Sequence, residues 1–113
     1  VELKRLGRTA LVTISNPAQK NAFTPRMMCD LAECVDELEQ DASLSTVLLR
    51  GEGGTFSSGM SFDVFTLASG EEERAALGTH LEDLMVDTTS RLTRLSLVSV
   101  ALVEGYAYGG AAE

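Results

Sequence analysis

Residues Gly105-Tyr106-Ala107-Tyr108-Gly109-Gly110-Ala111-Ala112-Glu113 set two adjacent glycines between an apolar run and a small-residue segment that ends in a carboxylate. The run before them, Leu97-Val98-Ser99-Val100-Ala101-Leu102-Val103, reads as a buried strand. A strand, then Gly-Gly, then Ala-Ala-Glu is how a chain turns sharply into the start of a helix. Gly109 and Gly110 let the backbone approach a ligand closely. The first amides of a helix have no intrahelical partner and lie at the positive end of its dipole. They therefore suit an oxygen that gains negative charge during a reaction. Glu113, one turn in, is a candidate proton donor or acceptor beside that oxygen. The same nine residues also suit a structural glycine turn with a helix-facing Glu, and taken alone they do not separate the two.

A second turn of the same kind follows Thr46-Val47-Leu48-Leu49-Arg50, which reads as another buried strand and enters Gly51-Glu52-Gly53-Gly54. Thr55-Phe56-Ser57-Ser58-Gly59-Met60-Ser61-Phe62-Asp63 comes next. Two turns that each offer an unpaired amide are enough for a two-donor oxyanion hole. Three motifs then stand in order: Asn16-Pro17 with Asn21-Ala22-Phe23, Thr55-Phe56-Ser57-Ser58-Gly59, and Gly105-Tyr106-Ala107 with Gly109-Gly110 and Glu113. In order and spacing this resembles the crotonase (enoyl-CoA hydratase/isomerase) superfamily over essentially the whole chain. Residues 94–103 and the form Phe56-Ser57-Ser58-Gly59 further resemble its ethylmalonyl-CoA decarboxylase-like branch.

The resemblance implies an α/β fold, a crotonase-like ββα spiral with only its N-terminal part present. It implies that a thioester carbonyl sits between the amides of Met60 and Gly110, where an enolate oxygen is stabilised as it forms. One such donor is worth about 2.7–4 kcal/mol in related holes. The Met60 side chain, larger than the family's usual residue there, is compatible if it points away. Coenzyme A contacts carry over to Ala18, Lys20 and Ala22 in the first loop, to Ser58, Met60, Ser61, Phe62 and Asp63 in the second, and to Gly109 and Gly110. The family usually has Asp where Ser61 stands, with Asp63 two residues later; Ser61 is expected to cap the following turn. Glu113 matches one of the two carboxylates that hydratases use. The second would fall beyond this chain.

Three functions follow from the resemblance. The first is an enoyl-CoA hydratase/isomerase type enzyme of fatty acid or related acyl-CoA metabolism. The second is an ethylmalonyl- or methylmalonyl-CoA decarboxylase, and the third a non-catalytic crotonase-like binding protein. Coenzyme A would be part of the substrate, with no separate cofactor and no metal. The family's usual assembly is a homotrimer or hexamer, and the expected compartment is the cytoplasm or the mitochondrial matrix.

Composition sets bounds. With 113 residues, 44% of them hydrophobic, the chain holds at most one modest domain with a core. Nine basic and seventeen acidic residues give a net charge of −8, which opposes nucleic-acid binding, where phosphate neutralisation dominates. Coenzyme A is also a polyanion, so Lys20 and Arg50 are the candidate local cations. No stretch approaches the roughly 20 apolar residues of a membrane span. Cys29 and Cys34, five apart, fall on different faces of a helix and read as reduced thiols. His80 is the single histidine and lies in an acidic helical stretch, which points to packing or surface rather than chemistry. The chain does not begin with Met and stops at the opening of a helix, so residues 1–113 are expected to be the N-terminal part of one acyl-CoA-binding domain, truncated at Glu113.

The elements that must hold these motifs read as β-β-α-β-α-β. Strands are expected at 2–5, 9–15, 46–50 and 97–103. A first helix begins at Thr24-Pro25, a threonine N-cap with proline at the first helical position. It buries Met27, Met28, Leu31, Val35 and Leu38. A second helix spans about 71–94 with Ser69 as its expected cap, and its face is Leu77, Leu81, Leu84, Met85, Leu92 and Leu95. The methionines read as core, and Glu71-Glu72-Glu73 as a solvated first turn.

Overall fold

In the computed structural model, which describes residues 1–66 and 70–112, β1 (Glu2–Leu6) and β2 (Thr9–Ile14) form an antiparallel hairpin. β2 then pairs in parallel with β3 (Thr46–Gly51), and β3 in parallel with β4 (Val98–Leu102). Parallel neighbours need long crossovers. α1 (Pro25–Gln40) and α2 (Glu71–Thr93) supply them. The expected α/β order is therefore present, with sheet order β1-β2-β3-β4.

Alternation decides which face of the sheet the helices cover. In β2, Ala10, Val12 and Ile14 are buried while Thr9, Leu11 and Thr13 are only partly so. Val47 continues the buried row in β3. α1 starts where the sequence places it: the Thr24 hydroxyl accepts from the Met27 amide at 3.2 Å. The helix buries Met27, Met28, Leu31, Cys34, Val35 and Leu38. The two cysteines do lie on different faces, Cys29 exposed and Cys34 buried. Burial pushes the Cys34 thiol pKa up. α2 buries Leu81, Met85 and Thr88, with Leu77, Leu84 and Leu92 packed at the margin. The expected cap of α2, Ser69, lies outside the described residues, as does Glu113.

One expectation is corrected. Residues 97–103 read as a buried strand, yet Val98, Val100 and Leu102 are 64%, 38% and 45% exposed. The register explains it. Val98, Val100 and Leu102 align with Thr46, Leu48 and Arg50, and through them with Thr9, Leu11 and Thr13. That is the sheet face opposite Val47, and among the described residues no helix covers it. An apolar sequence reports suitability for burial, not the presence of a cover.

Ion pairs fasten the helices to their neighbours. Arg91 of α2 pairs with Glu39 at 3.0 Å and with Asp36, both on α1. Arg5 of β1 reaches Asp41 at 3.0 Å and Glu37 at 3.4 Å. The hydrogen bond from Arg91 holds Glu39 below its ordinary value of 4.5. Ser43, and then Arg5, hold Asp41 below 3.8. A depressed carboxylate stabilises the fold above its unfolded value and loses that contribution as pH falls through the folded one. Thermal midpoints should therefore drop between neutral pH and about pH 3. Arg91→Gln, which removes the partner of Glu39, should start lower and show a smaller drop; an equal drop would mean that this pair carries none of the acid sensitivity.

Candidate active site

The loop between β2 and α1 is built around Asn21, which is 1% exposed and sits at φ 58, a left-handed conformation asparagine tolerates better than most residues. Its Oδ1 accepts from the Asn16 amide at 2.8 Å. Its Nδ2 donates to the carbonyls of Glu52 at 2.8 Å and Thr55 at 2.7 Å. One side chain thus ties the first motif to the turn after β3. Ser57, fully buried, adds a second tie: its hydroxyl donates to the Asn21 carbonyl at 2.7 Å and accepts from the Gly59 amide at 3.1 Å.

Residues 57–61 then run between the other two motifs. On one side Phe23 bridges Met60: the Phe23 amide donates to Gly59 at 2.7 Å and the Ser61 amide to Phe23 at 2.8 Å. On the other, Ser57 bridges Ala107, with the Ser57 amide donating to Tyr106 at 2.8 Å and the Tyr108 amide to Ser57 at 3.2 Å. Pairing Phe23 with the groups flanking Met60 turns the Met60 N–H away from Phe23, by the alternation of an extended chain. The Met60 side chain packs at the margin of the core. Among the described residues neither the Met60 nor the Gly110 amide has an acceptor.

Gly59 (φ +95) is where the second and third turns meet. A Cβ there would stand 2.7 Å from the Tyr108 carbonyl and 3.7 Å from the Gly109 Cα. Gly110 in turn faces α2, its would-be Cβ 3.4 Å from the Met85 side chain. The fold thus brings the Met60 and Gly110 segments side by side. The described part of the last segment is one 3₁₀ turn, Gly109–Ala112, not the opened α-helix the sequence predicts. So short a turn carries little macrodipole, and the described contribution at Gly110 is its free amide.

The remaining predicted residues fall into two groups. Ser61 is buried, donates to Gln19 Oε1 at 2.7 Å and accepts from the Asp63 amide at 3.3 Å; it caps the following turn as expected. Ser58 ties back to the first loop, its amide donating to Lys20 at 3.0 Å and its hydroxyl to Gln19 at 2.9 Å. Ala22 is buried, and both its backbone polar groups are used inside the loop. Ala18, Lys20, Phe62, Asp63 and Gly109 are exposed, Phe62 by 84%. Lys20 places its ammonium 4.7 Å from the centre of the Tyr106 ring, a cation–π contact, and Tyr106 neighbours Tyr108 at 5.2 Å. Together these residues form a ledge along the paired loops.

Beside Gly110 a cavity of about 260 Å³ opens between the sheet and α2. Phe23, Leu31, Phe56, Met85 and Leu92 give it an apolar wall, and Thr88, Thr89, Thr93 and Ser99 also line it. Among the described residues that line it, none is charged. Among the described residues, no cluster of three or more His, Cys, Asp or Glu is placed to hold a metal, and no helix is long and apolar enough to cross a membrane. Sequence reasoning gave no role to Gln19, Asn21 or Thr88. Thr88 was findable, since Leu81, Met85 and Thr88 continue one helical stripe at i, i+4 and i+7. Gln19 was not, because its partners Ser61 and Asp63 are distant in sequence.

A model of the family described as enoyl-CoA hydratase/isomerase matches residues 6–113. Among curated proteins, an ethylmalonyl-CoA decarboxylase from Danio rerio is 40% identical over 116 residues, covering 100% of this chain and 37% of the relative. The one from Mus musculus is 37% identical over 111 residues, covering 98% and 33%. Among solved structures, an enoyl-CoA hydratase/isomerase from Marinobacter aquaeolei aligns with a TM-score of 0.84 at 26% identity, over 97% of this chain and 43% of that one. DspI of Pseudomonas aeruginosa aligns at 0.83 and 26%, over 97% and 40%. The chain thus spans about a third of the length of the curated relatives it matches.

The meeting of turns at Gly59 can be tested against a control. Gly59→Ala and Gly53→Ala both force a side chain into positive φ, which costs about 1–3 kcal/mol. Gly53 has nothing within 4 Å of its would-be Cβ, whereas Gly59 adds a backbone clash. Denaturant unfolding should find Gly59→Ala clearly the more destabilised, with faster amide exchange at Tyr108. Equal losses would show that the two turns are not in contact.

Proposed function

This chain belongs to the enoyl-CoA hydratase/isomerase family, and from that premise we propose that it forms the enolate-stabilising part of an acyl-CoA enzyme. The observation that carries the reading is the double pairing of residues 57–61, which sets the free amides of Met60 and Gly110 on neighbouring turns. A thioester oxygen received between them gains two donors as charge develops on it. Ala18, Lys20, Ser58, Ser61, Phe62 and Asp63 would line the path of the coenzyme, with Lys20 the cation nearest its phosphates.

Within that chemistry we place decarboxylation of an alkylmalonyl thioester first. The sequence alone puts hydration first; the 37–40% identity to ethylmalonyl-CoA decarboxylases across nearly the whole chain supports the reverse order. In this step the bond from Cα to the carboxylate carbon breaks and carbon dioxide leaves. The electron pair becomes the enolate held at Met60 and Gly110, and Cα then takes a proton. Glu113 is the proposed proton donor. Hydration or isomerisation of an enoyl thioester is the second reading, favoured by the match of Glu113 to a hydratase carboxylate.

Calorimetry of the full-length protein with acetyl-CoA and crotonyl-CoA should give saturable heat; none, with no competition by free coenzyme A, would sink both readings. Carbon dioxide release from ethylmalonyl-CoA, with no hydration of crotonyl-CoA, is the expected activity, and the opposite pattern would install the second reading. Glu113→Gln should keep thioester binding and lower kcat by roughly 10²–10⁴. A loss of binding instead would assign Glu113 to packing.

A further inference from the structure

Gly110 carries its amide on a single 3₁₀ turn, Gly109–Ala112, a form with poor hydrogen-bond geometry of its own. The Ala111 amide ties the turn to the Tyr108 carbonyl at 3.0 Å. Its further support is packing. Gly109 leans on the turn after β3, its would-be Cβ standing 4.0 Å from the Gly59 Cα. Gly110 leans on α2. The three atoms nearest its would-be Cβ all belong to Met85: Cγ at 3.4 Å, Cε at 3.6 Å and Sδ at 3.9 Å. The thioether therefore lies lengthwise across the glycine.

Gly110 also differs from the other glycines of these turns. Gly53, Gly54, Gly59, Gly105 and Gly109 all sit at positive φ, and Gly110 does not. Its missing Cβ thus serves close approach, and what approaches is a side chain from a distant helix. Behind Met85 there is no slack. It is buried, and the space it shares with Met28, Leu31, Leu84 and Thr88 between the two helices has no room for a water molecule. Resting on the enolate-stabilising reading above, we propose that Met85 is a positioning residue. Its side chain, backed by α1, sets where the Gly110 amide stands relative to Met60.

The demand on position is severe. A donor of this kind acts at about 2.7–3.1 Å from the oxyanion, and a misplacement of about 1 Å costs roughly 10²-fold in rate. Two amides must reach one oxygen together, so a shift of one is not made good by the other. Truncating Met85 leaves a gap beside Gly110 into which the short turn can relax, carrying its amide away from Met60. Methionine is unbranched and adapts to an irregular surface. Leucine, of similar volume, is the swap that such a contact tolerates best.

In the full-length protein, Met85→Ala should lower kcat for carbon dioxide release from ethylmalonyl-CoA about 10- to 100-fold. If crotonyl-CoA is what the wild type turns over, the same loss is expected there. KM, and Kd for butyryl-CoA, should stay within about threefold, as for an interaction realised in the transition state. Difference infrared spectroscopy of bound butyryl-CoA reads the donors directly. The thioester carbonyl stretch, lowered in the wild type, should move back toward its value in water, and Met85→Leu should restore both readings. Leu81→Ala is the folding control, since Leu81 is buried on α2 one turn earlier and does not line the cavity at Gly110. It should lower Tm and leave kcat and the carbonyl stretch in place. Should Met85→Ala not fold, Met85→Val is a smaller truncation with the same expected readings. A wild-type carbonyl stretch in the truncated variant, or an equal fall of kcat in Leu81→Ala, would reduce Met85 to core packing and overturn the proposal. A wild type that binds butyryl-CoA without lowering its carbonyl stretch would remove the enolate-stabilising reading itself. That outcome is visible before any variant is made.

Discussion

Every feature of the candidate site hangs on the way residues 57–61 are held from both sides. A short extended segment is marginal by itself in water. Here Phe23 pairs with it on one flank and Ala107 on the other, so three loops distant in sequence become one small sheet-like unit. The pairing fixes more than position. By consuming the amides of Ser57 and Ser61 on opposite flanks, it leaves Met60 as a residue whose N–H has no internal use. Asn21 and Ser57 make this arrangement affordable, since they satisfy the backbone groups that so tight a turn would otherwise bury unpaired.

Electrostatics sets a charged exterior against a cavity whose described lining is uncharged. The acidic excess is concentrated where it can do structural work: Asp36, Glu37, Glu39 and Asp41 at the end of α1 meet Arg5 and Arg91 from two other elements. Those arginines are thereby committed, and Lys20 rests on Tyr106 at the edge of the loops. None of the described residues that line the cavity next to Gly110 is charged. Amide dipoles aimed at an oxyanion act most strongly where water and mobile ions are excluded, so an uncharged wall would strengthen the proposed pair. A charged residue in that wall would compete for the same developing charge.

The sequence made the scaffold legible and the site only partly so. Strand alternation in β2, the Thr24-Pro25 start of α1 and the stripe from Met27 to Leu38 are local signals, each fixed by one element's own period, and the structure has them. The motif order also carried the family. What local signals could not carry was contact between loops. Gln19 serves Ser61 and Asp63 more than 40 positions away, and Asn21 serves the turn after β3. The apolar run at 97–103 misled for a related reason: its pattern describes a strand fit for burial on two faces, whereas all five residues of β4 are exposed among the described residues. The stripe of α2 runs through Thr88, but that its hydroxyl has no partner among the described residues is visible only in three dimensions.

The departure at Ser61 bears on whether the loop needs the family's usual acid. A carboxylate two residues after Gly59 would order the turn by accepting backbone amides. Ser61 does this with one hydroxyl, accepting from Asp63 while donating to Gln19. Asp63 in turn takes the Gln19 amide from the other side. The ordering role is thus spread over three side chains that hold one another, with the negative charge moved outward to an exposed position. That distribution keeps charge away from the Met60 amide, which is where a developing oxyanion would be disturbed by it. Substitution of the acid is therefore no argument for a lost site: the turn is still ordered, and the amide beside it is left in a less negative surrounding than the usual residue would give.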